Sequence, residues 1–143
     1  MKNSFIIILF LNFLIYFGQT KSENKLVSKV DKQILTKKVI KKELFKELGW
    51  AGGYEKLTIY LKNNIPILIE KEEKQVMHNY SDKGEYVVVR FFNAKFYIIN
   101  WKENKFLRIG TYQNSENKKS VMSKDLIFTF DKNQIEKEIK NSL

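Results

Sequence analysis

Cysteine is absent from this 143-residue chain. That excludes disulfides, thiolate zinc sites, thiol nucleophiles and a lipidated N-terminal cysteine. His78 is the only histidine, so no two-histidine metal site can form within one chain. Arginine occurs only at Arg90 and Arg108; every other base is lysine. The planar fork suited to bidentate phosphate or guanine recognition is therefore scarce. Gly52-Gly53 lacks the Gly-Lys-Ser/Thr tail of a phosphate loop. The one proline, Pro66, cannot donate to a ladder and belongs at a strand start or on an edge.

What is present is one domain's worth of chain, with 43% hydrophobic and 14% aromatic residues, a globular composition. The net charge of +10 is carried by lysine and favours solubility over a specific anionic partner. Lys2 precedes an apolar run from Phe5 to Phe17, broken only by Asn12. The run is shorter than the ~20 residues of a comfortable membrane span. It reads as a secretory signal peptide over residues 1–22, with an uncleaved anchor as the alternative. Cleavage after Ser22 puts small residues at −3 and −1, and Gly18-Gln19-Thr20 is a rival site. Residues 23–143 then form a single domain.

Glu85 to Tyr112 is the expected centre of that domain. Its three apolar, aromatic and β-branched runs are separated by Asn93-Ala94-Lys95 and by Lys102-Glu103-Asn104-Lys105. The pattern reads as a three-stranded antiparallel meander, with Ile99 in its core. Before it, Ser22 to Lys29 reads as a polar lead-in, and Val30 to Leu48 as a helix ended by Gly49. Trp50 and Tyr54 flank a flexible Gly52-Gly53 turn, and Trp50 is expected to close the helix end. Lys56–Lys62 and Ile65–Glu70 read as a hairpin across Asn63-Asn64. Glu70 to Gln75 reads as a solvated strand end, Asn79 to Gly84 and Gln113 to Ser120 as loops, and Asp125 to Phe130 as a strand.

The last twelve residues, 132–143, fit two structures. Asp131 followed by Gln134 is a capping-box-like helix start, and Ile135, Ile139 and Leu143 share a helix face. A spacing of four also suits a strand. A recurring turn pattern favours the strand: Leu61 to Pro66, Phe91 to Phe96, Trp101 to Phe106 and Phe130 to Ile135 each place Asn or Ala four residues into an apolar-flanked hexamer. Asn tolerates the left-handed conformation that tight hairpins need.

The leader followed by these hairpins, from Leu57 to Ile139, resembles small exported proteins of Bacteroidetes-type bacteria. The resemblance implies an envelope or secreted location and brings no known site. MORN-type repeats also use serial hairpins, but their glycine-rich signature is missing.

Candidate chemistry is thin. His78, Asp82 and nearby serines offer a nucleophile and base without a fixed third group. Glu70, Glu72 and Glu73 are interleaved with Lys71 and Lys74, as on a solvated face. No catalytic, cofactor or metal residue is assigned. Tyr86, Arg90 and Phe92 alternate on one strand face, with Arg108 and Tyr112 on a neighbour, and such aromatic-basic faces stack bases or sugars. With Trp50 and Tyr54 they make the candidate interaction face.

The fold expected is α+β: an N-terminal helix packed on an antiparallel meander of about six or seven strands. The function expected is a non-enzymatic exported binding protein, periplasmic or secreted, whose partner is a protein or envelope component. The competing reading is a lysine-driven binder of anionic polymer, envelope glycan or nucleic acid, with nucleic acid the lesser expectation. A small hydrolase ranks third. Membrane contact is expected only through an uncleaved N-terminal segment.

Overall fold

A computed structural model describes residues 20–36, 38–49, 52–114, 120–122 and 129–141, with the backbone alone for 120–122. Residues 1–19 of the expected signal peptide, Trp50 and most of the strand expected over Asp125–Phe130 lie outside the described residues. The elements in order are α1 (Lys21–Ile34), β1 (Ile40–Leu48), β2 (Gly53–Lys62), β3 (Ile65–Ser81), β4 (Gly84–Asn100), β5 (Lys105–Asn114), β6 (Ser120–Met122) and α2 (Lys132–Lys140). The strands form one antiparallel sheet in which spatial order equals chain order. Five long strands carry it, and β6 is only 3 residues long. The α+β class holds, with fewer full strands than the six or seven expected.

Helices cover both faces. Cross-strand partners share a face, so Lys42, Ile59, Ile69, Phe96 and Arg108 form one row, and Lys41, Tyr60, Leu68, Tyr97 and Leu107 a row on the opposite side. On the first face, Leu57, Ile59, Leu61, Ile69, Ala94 and Phe96 pack with Ile135 and Ile139 of α2. On the second, Leu68 and Tyr97 pack with Val30 of α1, flanked by Leu26, Val27 and Ile34. These are called below the α2 face and the α1 face.

Several sequence expectations need correction. The N-terminal helix is shifted: Ser22–Lys29 lies inside α1, and Ile40–Leu48 is a strand. Thr20 caps α1, its Oγ1 accepting from Glu23 N at 3.3 Å while Glu23 accepts from Thr20 N. That capping box starts the helix nine residues upstream of Val30. Leu44, Phe45 and Leu48 mimic a helical face by spacing alone. β1 is an edge strand, and its Lys41, Glu43, Lys46 and Glu47 are the charges that guard such edges. Gly49 (φ +71°) belongs to the β1–β2 turn. Gly53 is needed for close approach: a Cβ there would lie 2.7 Å from Leu48 O.

Asn93-Ala94-Lys95 is not a turn. β4 runs unbroken through it for 17 residues, so the central meander is two strands, not three. β3 also runs 17 residues, through the expected loop at Asn79–Ser81. Two of the four turn hexamers do form turns, with Asn63, Asn64 and Asn104 at φ 52°, 61° and 54°. The fourth starts α2 instead. Asp131 accepts from Gln134 N at 3.1 Å, so the terminal stretch is a helix and the strand reading fails. Ile99 is not core. The ladder skips it between Ile98 and Asn100, and that bulge leaves it 61% exposed.

Candidate interaction surfaces

The structure divides the residues expected to form one interaction face. Tyr86, Arg90, Phe92, Arg108 and Tyr112 do share the α2 face, as their alternation implied. Tyr54 lies on the α1 face. Of the five, only Tyr86 is exposed; the others are half-buried. Phe92 and Tyr112 are cross-strand partners with ring centroids 5.0 Å apart, and Phe92 packs against the α2 cluster. Arg90 Nε is enclosed with no hydrogen-bond partner among the described residues. This row mainly extends the core.

Within the α2 face sits a cation that the sequence reading placed on a solvated strand end. Lys71 lies opposite Leu57 and Ala94 in the ladder, with its side chain 10% exposed. Its ammonium donates to Glu55 at 2.6 Å, to Glu73 at 2.9 Å and to the Thr129 carbonyl at 3.1 Å. All three protons are thereby used. Burial alone would lower the Lys71 pKa, but the two carboxylates outweigh it and the net shift is upward. Glu73 is held below the ordinary glutamate range: burial opposes this, and the bonds from Gln75 and Lys71 prevail. The Thr129 bond ties the chain entering α2 to the sheet. Phe130 continues that attachment, its ring 4.9 Å from Phe96 and stacked on Trp101 at 6.0 Å.

The α1 face is open beyond the helix. Its rows across the sheet are Glu43–Thr58–Glu70–Lys95–Ile109, then Phe45–Lys56–Glu72–Asn93–Thr111, then Glu47–Tyr54–Lys74–Phe91–Gln113. The first two rows, apart from Phe45, floor a concave basin of about 500 Å³. Lys41, Lys56, Lys74 and Lys95 are matched in number by Glu43, Glu47, Glu70 and Glu72. Most of these charges are paired: Lys41 and Lys56 meet Glu43 at 2.7 and 3.3 Å, and Lys95 meets Glu70 at 2.7 Å. Tyr60 donates to Glu70 at 3.0 Å, and Tyr54 donates to Glu72. That bond raises the Tyr54 pKa. At the far rim, Phe45 is 64% exposed and stacked on Tyr54 at 5.7 Å, with Phe91 exposed across the basin.

Tyr97 links the basin wall to α1 by donating to Asp31 at 3.3 Å. Burial, then the Asp31 charge, pushes its pKa up to about 12. A raised pKa gives stability that is intact below the unfolded value of 10.0 and lost as pH rises toward 12. Tyr97→Phe is expected to cost about 1 kcal/mol at pH 7. In urea melts the gap to the parent should close between pH 10 and about 12. A gap independent of pH would show that the hydroxyl does not hold α1.

Beyond Tyr54↔Lys74 and Arg90↔Asn114, β3 and β4 continue as a two-stranded arm, from Val76↔Val89 to Ser81↔Gly84. Tyr80, Tyr86 and Val87 are exposed on it. His78 Nδ1 lies 2.6 Å from Glu85 Oε1 on this arm, and Ser81 Oγ is engaged in the turn with Gly84 O and Lys83 N. The expected carboxylate cluster is split, with Glu70 and Glu72 on the α1 face and Glu73 on the other. Among the described residues, no group of three or more His, Asp or Glu is placed to hold a metal. No described helix is long and apolar enough to cross a membrane. Comparison with protein-family models, curated proteins and solved structures gave no match.

Lys71, Glu55, Phe45 and Phe91 were not singled out from the sequence. Strict alternation through Glu70–Gln75 was the available signal, since it places Lys71 and Glu73 with Ile69.

Proposed function

We propose that this chain is an exported, non-enzymatic binding protein, and that the open α1 face receives a protein partner of mixed charge. The observation that supports this is the charge balance of that face on a chain of net +10. Interleaved lysines and glutamates complement a surface that also interleaves the two signs, and they repel one of a single sign. The rim aromatics Phe45, Tyr54 and Phe91 supply the rigid apolar contact area that interfaces use. The competing reading, a lysine-driven polyanion binder, is disfavoured because the basin lysines Lys41, Lys56 and Lys95 already have carboxylate partners.

A photo-crosslinking residue introduced at Asn93 or at Thr111 tests this in the exporting organism. Both positions are expected to capture the same envelope or extracellular protein, and Phe45→Ala/Phe91→Ala is expected to reduce its capture at least tenfold. Heparin and single-stranded DNA should bind only weakly at physiological salt. A submicromolar complex with either, falling steeply as salt rises, would establish the polyanion reading instead.

A further inference from the structure

We infer that the outer face of α1 docks on an anionic lipid surface. Lys21, Lys25, Lys29 and Lys32 are all exposed. At 100° per residue they fall within about 80° of arc, centred about 140° around the helix from Val30, the residue that α1 buries. None of the four has an ion-pair partner among the described residues. The helix has two acids, and both are turned to other work. Glu23 closes the capping box with Thr20, and Asp31 accepts from Tyr97. The stripe therefore presents one sign of charge, unlike the basin.

Lipid is favoured over nucleic acid or glycan by what precedes the helix. The apolar run ends at Phe17, and only Gly18 and Gln19 separate it from the N-cap Thr20. Three steps of about 3.8 Å span at most about 11 Å. In the protein that keeps its leader, with Phe5 to Phe17 held in a bilayer, α1 begins at the depth of the headgroups. A basic cluster at that depth is drawn to anionic lipid, and an apolar segment beside it supplies the second of two attachment signals. Lysine is suited to this role: a compact, hydrated point charge tracks mobile headgroup phosphates without the fixed fork of arginine.

The test uses the full chain with phosphatidylcholine vesicles, either neutral or containing roughly one-third phosphatidylglycerol. The unsubstituted protein should bind the anionic vesicles at least tenfold more tightly, and ~0.5 M salt should abolish the difference. Lys21→Gln/Lys25→Gln/Lys29→Gln/Lys32→Gln should remove it while binding to neutral vesicles stays unchanged. Lys41→Gln/Lys56→Gln/Lys95→Gln, which takes charge from the basin instead, should retain it. Equal losses in the two variants would assign the effect to net charge and overturn the proposal. So would an unsubstituted protein without preference for anionic vesicles, whatever the variants do. Tighter, salt-sensitive binding to DNA at the same phosphate concentration would overturn lipid as the partner.

Discussion

Phe96→Ala is expected to unfold the domain or leave it barely stable. The ring is wholly buried, with Phe130 at 4.9 Å and Phe106 at 5.3 Å, both edge-on. Its loss removes the transfer energy of the side chain and leaves a cavity between the sheet and the chain entering α2. Such truncations cost ~3–5 kcal/mol. Domains of this size have ~5–15 kcal/mol in total. Chemical denaturation would show a midpoint shifted far down at constant slope. Ile99→Asp, three residues away on the same strand, should change stability by less than ~0.5 kcal/mol, because a surface carboxylate there stays hydrated. Equal losses in the two variants would show that Ile99 is part of the core.

Lys71→Met is the second large effect expected, and its size should depend on pH. The methionine fills a similar volume but leaves Glu55 and Glu73 facing one another without a cation. Removing one partner of a buried ionic group costs ~3–5 kcal/mol, and both carboxylates keep some solvent, so about 3 kcal/mol is expected at pH 7. In the parent, Glu73 is depressed below its ordinary 4.5. It therefore stabilises the parent above that value, and the contribution fades as pH falls through the folded pKa. In the variant the two acids repel, and protonation relieves them. Parent and variant should therefore converge on acidification from pH 7 to about pH 4. At the alkaline end the parent should lose stability as pH climbs past 10.5 and through the raised Lys71 pKa, and the variant should lack that component. A constant difference from acid to neutral would mean that the lysine acts by packing its methylenes alone.

These expectations rest on residues of unequal visibility in the sequence. The β2 alternation and the turns at Asn63-Asn64 and Asn104 could be read directly, because each is a local signal with a local cause. Asn93-Ala94-Lys95 misled for the opposite reason. Its polar residues look like a break, yet alternation persists: Asn93 and Lys95 floor the basin while Ala94 is buried on the α2 face. Only knowledge of two differently covered faces separates such a stretch from a turn. At Phe130–Ile135 a local rule pointed both ways, and the Asp131 cap decided. Lys71 was hidden altogether, since a run of mixed charge carries no mark of which cation the fold encloses. Tyr86, Arg90, Phe92, Arg108 and Tyr112 were correctly placed on one face. That Phe92 is half-buried was not legible, because it packs against a cluster completed by Ile135 and Ile139, more than forty residues farther along the chain.

The identity of spatial and chain order across the sheet has a kinetic consequence. Each strand docks beside the one made just before it, so loops are short and contact order across the sheet is low, which favours rapid assembly. No strand has to insert between two already paired. A chain emerging N-terminus first from the ribosome can therefore grow its sheet from β1 onward, with α1 already available to cover one side. The other side stays bare until α2 arrives, because Ile135 and Ile139 come after all the strands in the chain. Between β5 and α2 the nascent protein carries an uncovered apolar surface, and it is in that interval that a holding chaperone would matter most.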